Sequence, residues 1–303
     1  MSIKGKAAIS GFAEMAPQKG AGDITPLGII ANMAREAIAD AGLEKNDIDG
    51  LLTGWALSDY SVLFPSVVAD YLQIQPKYFN QVELGGASAA GMVWRAAAAI
   101  AAGMCNTVLC VLGDRRARAR QMPPFPSIEA EFDAPYGLIA ANPGYALIAQ
   151  RHKHEYGTTA EQMAKVAVDQ RKSACKNPSA LFGSKEIEID DVLNSRMIVD
   201  PLRLFDCSLI SDGAVVILVT SAERARDLKQ KPIYISAMQG LRSGRDEFIF
   251  APRGMGLNQQ SNMRTGADER DLAVYRNAGI VRDDIDGLYT YDAFSPLPLF
   301  VLE

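Results

Sequence analysis

The chain has 303 residues, 48% of them hydrophobic and 22% charged, with a formal net charge of −5. That is enough apolar material to bury the core of one large domain or two mid-sized ones. The near balance of charge speaks against a nucleic-acid surface or a polybasic membrane patch. The opening MSIKGKAAIS has neither the cationic stretch nor the apolar run of a signal peptide. The most apolar window, residues 89–104, includes Arg95 and is too short to span a bilayer. Cys105, Cys110, Cys175 and Cys207 show no CxxC spacing, and His152 and His154 are the only histidines. A reduced, cytoplasmic protein is expected, with no structural zinc site, no membrane insertion and no nucleic-acid partner.

In chain order, residues 6–12 are β-rich, and Leu27, Ile30, Ala31, Ala34, Ala37 and Ile38 then recur at helical spacing. Gly42 provides a left-handed stop. A short acidic turn leads to an apolar strand at 50–54, completing a βαβ unit, the building block of a parallel sheet. Residues 78–84 read as a strand, 88–102 as a buried alanine-rich helix closed by Gly103, and 107–113 as an apolar strand deep in a sheet. The stretch 115–142, rich in proline and polar groups, reads as an ordered excursion over an active site. It opens on Arg115, Arg116, Arg118 and Arg120, which read either as a solvated loop or as a contact for a phosphate-bearing anion. Helices follow at 144–156 and 159–177, the second capped by Thr158 or Thr159. His152 and His154 on the first of these point to different faces and read as solvated. A strand at 214–220 and a helical stretch at 221–228 complete this half.

The chain then begins to repeat. Residues 41–53 and 278–290 match at 8 of 13 positions, at a constant offset of 237, and share the whole run Asp-Ile-Asp-Gly-Leu. A match of this length implies duplication. The second copy has a β-rich segment at 232–237 and an expected strand at 287–291, but stops at Glu303 inside an expected helix. Residues 1–230 therefore read as one complete half, and 231–303 as the start of a second, truncated one.

Three motifs carry a family resemblance. They are Val82-Glu83-Leu84-Gly85-Gly86-Ala87-Ser88 before a helix, Ser211-Asp212-Gly213-Ala214 before a strand, and Tyr291-Asp292-Ala293-Phe294-Ser295 after a strand. Together they resemble the thiolase superfamily, nearest to its lipid-transfer and sterol-carrier-type acetyl-CoA acetyltransferase branch. The resemblance implies a duplicated α/β thiolase-like fold, five-layered (αβαβα) in the family. In true thiolases the first motif holds a cysteine nucleophile where helix N–H groups lower the thiol pKa and stabilise an oxyanion. Aligning the family's Cys-Ala-Ser on this chain places that cysteine at Gly86, so no acyl-enzyme can form there. Cys207, in Asp206-Cys207-Ser208, reads as structural. Ser88 reads as a helix N-cap, since no histidine falls near a matching motif to serve as its base.

In the third motif Tyr291 replaces the Asn or His that faces the thioester in thiolases. It reads either as a core tyrosine or as a functional group at a strand end. Loss of the cysteine together with a Tyr-Asp pair resembles the thiolase-like aldolases of steroid side-chain degradation. That resemblance implies retro-aldol cleavage of a bulky, steroid-like β-hydroxyacyl-CoA. Tyr291 would exchange the proton beside Asp292, and Gly86, Ala87 and Ser88 would form the turn that binds the thioester oxyanion. It implies no cofactor beyond the coenzyme A of the substrate. It also implies a homodimer through the strand at 78–84, which starts at Tyr78 and ends at Leu84, and an OB-fold, zinc-ribbon acyl-CoA-binding partner protein. The alternatives are a non-catalytic acyl-CoA or lipid-transfer-type protein, an acetyl-CoA acyltransferase homologue inactive as a thiolase, or a structural subunit. The histidine-bearing motif of thiolase C-termini has no counterpart in these residues.

Overall fold

A computed structural model of the chain describes residues 3–20, 22–59, 61–116, 134–138, 141–239 and 273–302. Its strands in chain order are β1 (Ala7–Glu14), β2 (Gly50–Thr53), β3 (Tyr78–Gln81), β4 (Thr107–Arg115), β5 (Met197–Val199), β6 (Leu202–Arg203), β7 (Asp212–Ser221) and β8 (Ile233–Tyr234). Its helices are α1 (Pro26–Ala41), α2 (Phe64–Leu72), α3 (Ser88–Ala101), α4 (Ala141–Tyr156), α5 (Ala160–Ala174), α6 (Ile189–Leu193), α7 (Ala222–Ala225), α8 (Ala273–Ala278) and α9 (Pro296–Leu302). The described residues fall into two units. The first is built from residues up to 116, from 210 to 239 and from 273 to 287; the second from 134 to 209 and from 288 to 302.

The first unit is an α/β layer around a six-stranded sheet in the order β3-β2-β4-β7-β1-β8. β2 runs parallel to β3 and β4, whereas β7 is antiparallel to β4 and β1, and β8 is antiparallel to β1. The sheet is therefore mixed. β1 and β2 are not neighbours, because β4 and β7 lie between them, so the first βαβ unit crosses over two strands. Period-two alternation sends side chains to opposite faces. Leu51, Leu109, Val216 and Leu218 pack with Ile29, Ile30, Met33 and Ala37 of α1. Leu52, Val108, Cys110 and Val219 pack with Met92, Val93, Ala96 and Ile100 of α3. Gly11 allows α1 to approach the sheet closely, since a Cβ there would lie 2.7 Å from the Ala37 carbonyl oxygen.

Asp49 ties together the starts of the three parallel strands. Its carboxylate accepts the N–H groups of Asn106 and Thr107 at 2.9 and 2.8 Å. Its carbonyl accepts those of Lys77 and Tyr78 at 2.8 and 3.3 Å.

The repeat reproduces a local geometry as well as a sequence. Gly42 and Gly279 both close a helix in the left-handed region, at φ 72° and 70°. The N–H of Leu43 then returns to the Ile38 carbonyl, as that of Ile280 returns to Tyr275. Asp47 accepts the Glu44 N–H at 2.8 Å, and Asp284 accepts the Val281 N–H at 2.9 Å. Beyond that point the copies diverge. Residues 287–291 form no strand, because none of the described residues pairs with them, whereas β2 is flanked on both sides; an unpaired extended segment has no ladder to hold it. The expected strand at 232–237 is reduced to the two residues of β8 on the sheet edge.

In the second unit, α5 is capped by Thr159, whose hydroxyl accepts the Gln162 N–H at 3.3 Å while Gln162 returns a bond to the Thr159 N–H. α6 packs on α5 through Ala164, Val168, Ile187 and Val192. Arg115 donates to the Gly22 carbonyl at 2.8 Å in the first unit, while Arg118, Arg120 and most of the 115–142 excursion lie outside the described residues. Asp49→Ala removes the acceptor for two N–H groups and is expected to lower unfolding free energy by about 2–4 kcal/mol, read as a lower urea midpoint with an unchanged m-value.

Candidate active site

The Gly86 motif lies in the first unit, between the end of β3 and α3. The strand expected at 78–84 ends at Gln81, and the chain turns at Gly85, which sits at φ 57°. The Ser88 hydroxyl organises this turn: it accepts the Leu84 N–H at 2.9 Å and donates to the Gly85 carbonyl at 2.7 Å. The N-cap position falls on Ala87, so Ser88 is the first helical residue and does not cap α3 as expected. Its hydroxyl bonds backward into the turn, and the residue is 2% exposed, which leaves no group free to act as a nucleophile. The N–H groups of Ala87 and Ser88 are bonded to the Leu84 and Gly85 carbonyls at 3.2 Å each. The Gly86 N–H makes neither of these bonds, and Gly86 and Ala87 are both exposed. Gly91 brings α3 down onto the turn, since a Cβ there would lie 2.4 Å from a Leu84 methyl.

The thiols are poor substitutes for a nucleophile. Burial pushes Cys105 up to about 11, with Asp49 adding to the effect. Burial also raises the fully buried Cys110. Cys207 is raised by burial and then by Asp206, against a smaller opposing effect of Asn142. These three are thiols at neutral pH, whereas the thiolate is the reactive form.

The Tyr291 motif lies in the second unit. Residues 206–208 and 293–295 pair antiparallel: the Ser208 N–H bonds the Ala293 carbonyl at 2.9 Å, and the Ser295 N–H bonds the Asp206 carbonyl at 3.0 Å. Phe294 is buried, with its ring 4.5 Å from that of Tyr145 on α4. Cys207 lies opposite Phe294 and accepts a hydrogen bond from the Asn142 side chain at 3.7 Å. Tyr291 is 56% exposed beside the exposed Asp292. Partial burial raises its phenol pKa and Asp292 adds to the rise, so Tyr291 is protonated at neutral pH. Burial, and then the charge of Tyr291, likewise raise Tyr145.

Asn142 and Tyr145 were not singled out by motif. The available signal was spacing, because Asn142, Tyr145, Ala146 and Ala149 share one face of α4. The same face ends on His152, which is not solvated as expected. It is buried between the rings of Tyr156 and Phe300, and its Nδ1 lies 2.7 Å from the Thr158 hydroxyl. His154 is exposed. Among the described residues no helix is long and apolar enough to cross a membrane. Nor does any group of three or more His, Cys, Asp or Glu among them stand ready to hold a metal ion.

No protein-family model matches the chain. A steroid side-chain-cleaving aldolase from Thermomonospora curvata is 36% identical over 317 aligned positions, covering 99% of this chain and 78% of its own length. A 17-hydroxy-3-oxo-4-pregnene-20-carboxyl-CoA lyase from Mycobacterium tuberculosis is 33% identical, with the same two coverages. The solved structure of an Ltp2-ChsH2(DUF35) aldolase superposes with a TM-score of 0.83 at 36% identity, over 97% of this chain and 75% of that one. The mixed sheet, the glycine-rich turn before α3 and these likenesses together define the class: the chain belongs to the thiolase-like superfamily. Within that superfamily it is similar to the steroid side-chain-cleaving aldolases.

Ser88→Ala leaves the Leu84 N–H without its acceptor, and is expected to lower unfolding free energy by about 1–3 kcal/mol in a denaturant titration. Wild-type protein incubated with an acyl-CoA is expected to show no added acyl mass.

Proposed function

We propose that the chain cleaves a β-hydroxyacyl-CoA with a bulky, ring-bearing acyl group by a retro-aldol route. One observation carries the reading: glycine occupies the thiolase nucleophile position, while an exposed phenol, Tyr291, occupies the position that faces the thioester in thiolases. A covalent thiolase mechanism has no nucleophile here, whereas a retro-aldol needs none. The β-hydroxyl gives up its proton and its O–H electron pair becomes the new carbonyl bond. The Cα–Cβ bond breaks, and its pair enters the thioester as an enolate. A proton returned to Cα completes a shorter acyl-CoA. The products are that acyl-CoA and a ketone or aldehyde, and coenzyme A stays attached throughout.

In this reading Tyr291 exchanges the proton and Asp292 orients or tunes it. The exposed Gly86 N–H stabilises the enolate oxygen, while Ala87 and Ser88, whose N–H groups bond within the turn, hold it in shape. The names of the two relatives support the reaction class and a CoA thioester substrate. Residues 1–230 then form one thiolase-like half, and 231–303 the start of the second. The edge position of β3, with Phe79 half-exposed, supports a homodimer formed by pairing of that edge. The likeness to the Ltp2-ChsH2(DUF35) aldolase supports a partner of the ChsH2(DUF35) kind. Four free cysteines are consistent with work in the cytoplasm.

Incubation with a ring-bearing β-hydroxyacyl-CoA is expected to release a ketone and a shortened acyl-CoA, both resolved by mass spectrometry. Intact substrate after prolonged incubation with the partner protein present would refute the reading. Tyr291→Phe is expected to lower kcat by about 10²- to 10⁴-fold; full activity would remove Tyr291 from the mechanism. Because the phenol is raised, its ionised fraction grows only in the alkaline range. If the phenolate takes the proton, kcat/KM climbs with pH and does not level off until above the ordinary tyrosine value of about 10. Phe79→Lys is expected to convert a dimer to a monomer in light scattering.

A further inference from the structure

The turn before α3 uses nearly all of its own N–H groups. The Leu84 N–H goes to the Ser88 hydroxyl and the Gly85 N–H to the Glu83 carboxylate, both at 2.9 Å. Those of Ala87 and Ser88 go to the Leu84 and Gly85 carbonyls. The Gly86 N–H makes none of these bonds, and Gly86 is exposed. Its direction follows from its own peptide group. Asp200-Pro201 is the one cis peptide bond among the described residues, so the Gly85-Gly86 bond is trans. In a planar trans peptide the C=O and the N–H point in opposite directions. The Gly85 carbonyl receives two bonds from a single residue, from the Ser88 hydroxyl at 2.7 Å and the Ser88 N–H at 3.2 Å. Ser88 is buried, so that carbonyl is held inward and the Gly86 N–H is turned away from it.

We propose that Ser88 is the positioning residue of the oxyanion donor, its hydroxyl fixing the direction of the Gly86 N–H and strengthening it. The hydroxyl stands in the middle of a chain of aligned bonds, accepting from the Leu84 N–H and donating to the Gly85 carbonyl. Hydrogen bonds linked in this way polarise one another. A proton held on the carbonyl oxygen draws electrons out of the peptide C–N bond, which leaves the N–H of the same group more positive. Such a donor matters most where negative charge grows on an oxygen in front of it. Ser88 thus acts on the reaction through the Gly86 amide and never touches the substrate. That task needs no base beside the hydroxyl, whereas a nucleophilic serine would need one.

The test uses the full chain. Gly85-Gly86 is the only Gly-Gly pair in the sequence. Labelling glycine with carbonyl 13C and amide 15N therefore isolates one NMR signal, the Gly86 amide read through the Gly85 carbonyl. Ser88→Ala is expected to move the Gly86 15N and Gly85 13C resonances upfield, because a carbonyl that loses a donor returns electron density to its peptide group. Ser88→Cys keeps a weaker donor at similar size and is expected to move them part of the way. It carries the test should Ser88→Ala not fold. In turnover of a ring-bearing β-hydroxyacyl-CoA, Ser88→Ala is expected to lower kcat by about ten- to a hundredfold, short of the loss of a whole donor. KM is expected to change little, because the enolate forms only after binding. A hydroxyl that merely braces the turn would lower the urea midpoint and leave both resonances in place, and that result overturns the proposal. An unchanged kcat in an active enzyme also overturns it. The kinetic arm rests on the lyase reading, but the resonances do not. Shifted resonances in a chain that cleaves nothing would uphold the hold of Ser88 on the Gly86 amide and end the lyase reading alone.

Discussion

The first unit depends on a carboxylate that lies far from the chemistry. Asp49 holds the starts of β2, β3 and β4 in one register, through two side-chain and three main-chain bonds. Parallel strands need such a device because no tight hairpin sets their offset. With the starts fixed, the three strands run in step, and the end of β3 delivers the Gly85–Ser88 turn to the end of the sheet where ligands gather in α/β folds. The closeness of α3 at Gly91 and the two bonds of the Ser88 hydroxyl then hold the turn in shape. The Gly86 amide is thus positioned by a chain of constraints that starts at the other end of the strands.

Asp49 belongs to the duplicated Asp-Ile-Asp-Gly-Leu run, and that is why the run was informative in the sequence. The first aspartate closes a turn in both copies, and the glycine before it stops the helix in both. These are local devices, set by residues within a few positions of one another, and local pattern captures them well. The strand that follows is not local. β2 exists because β3 and β4 lie on either side of it, and the equivalent residues 287–291, which share three of five residues with 50–54, have no such neighbours among the described residues. The same distinction explains the mixed sheet, because the insertion of β7 between β4 and β1 is set by tertiary packing and not by any local run.

The candidate site divides in the same way. That Gly86 cannot be a nucleophile was legible from residue identity alone, since it needs only the absence of a side chain. The direction of the Ser88 hydroxyl was not legible, because a shift of one position in the helix start turns a cap into a brace. His152 read as solvated because a charged stretch surrounds it in sequence, yet the apolar face of α4 and the ring of Phe300 enclose it. Tyr145 was invisible to motif for the same reason. Its partner Phe294 lies 149 residues further along the chain, and nothing in either neighbourhood announces the other.

Losing the cysteine changes what the rest of the site must supply. A thiolase turn uses its helix N-terminus both to activate a thiol and to stabilise an oxyanion, and only the second task survives a glycine at position 86. In the proposed retro-aldol the proton work falls to groups that can move a proton without forming a bond to carbon, and an exposed phenol is such a group. A raised pKa keeps Tyr291 protonated and leaves little of its basic form at neutral pH, so its use as a base depends on whatever stabilises its anion. The carboxylate of Asp292 beside it opposes that anion.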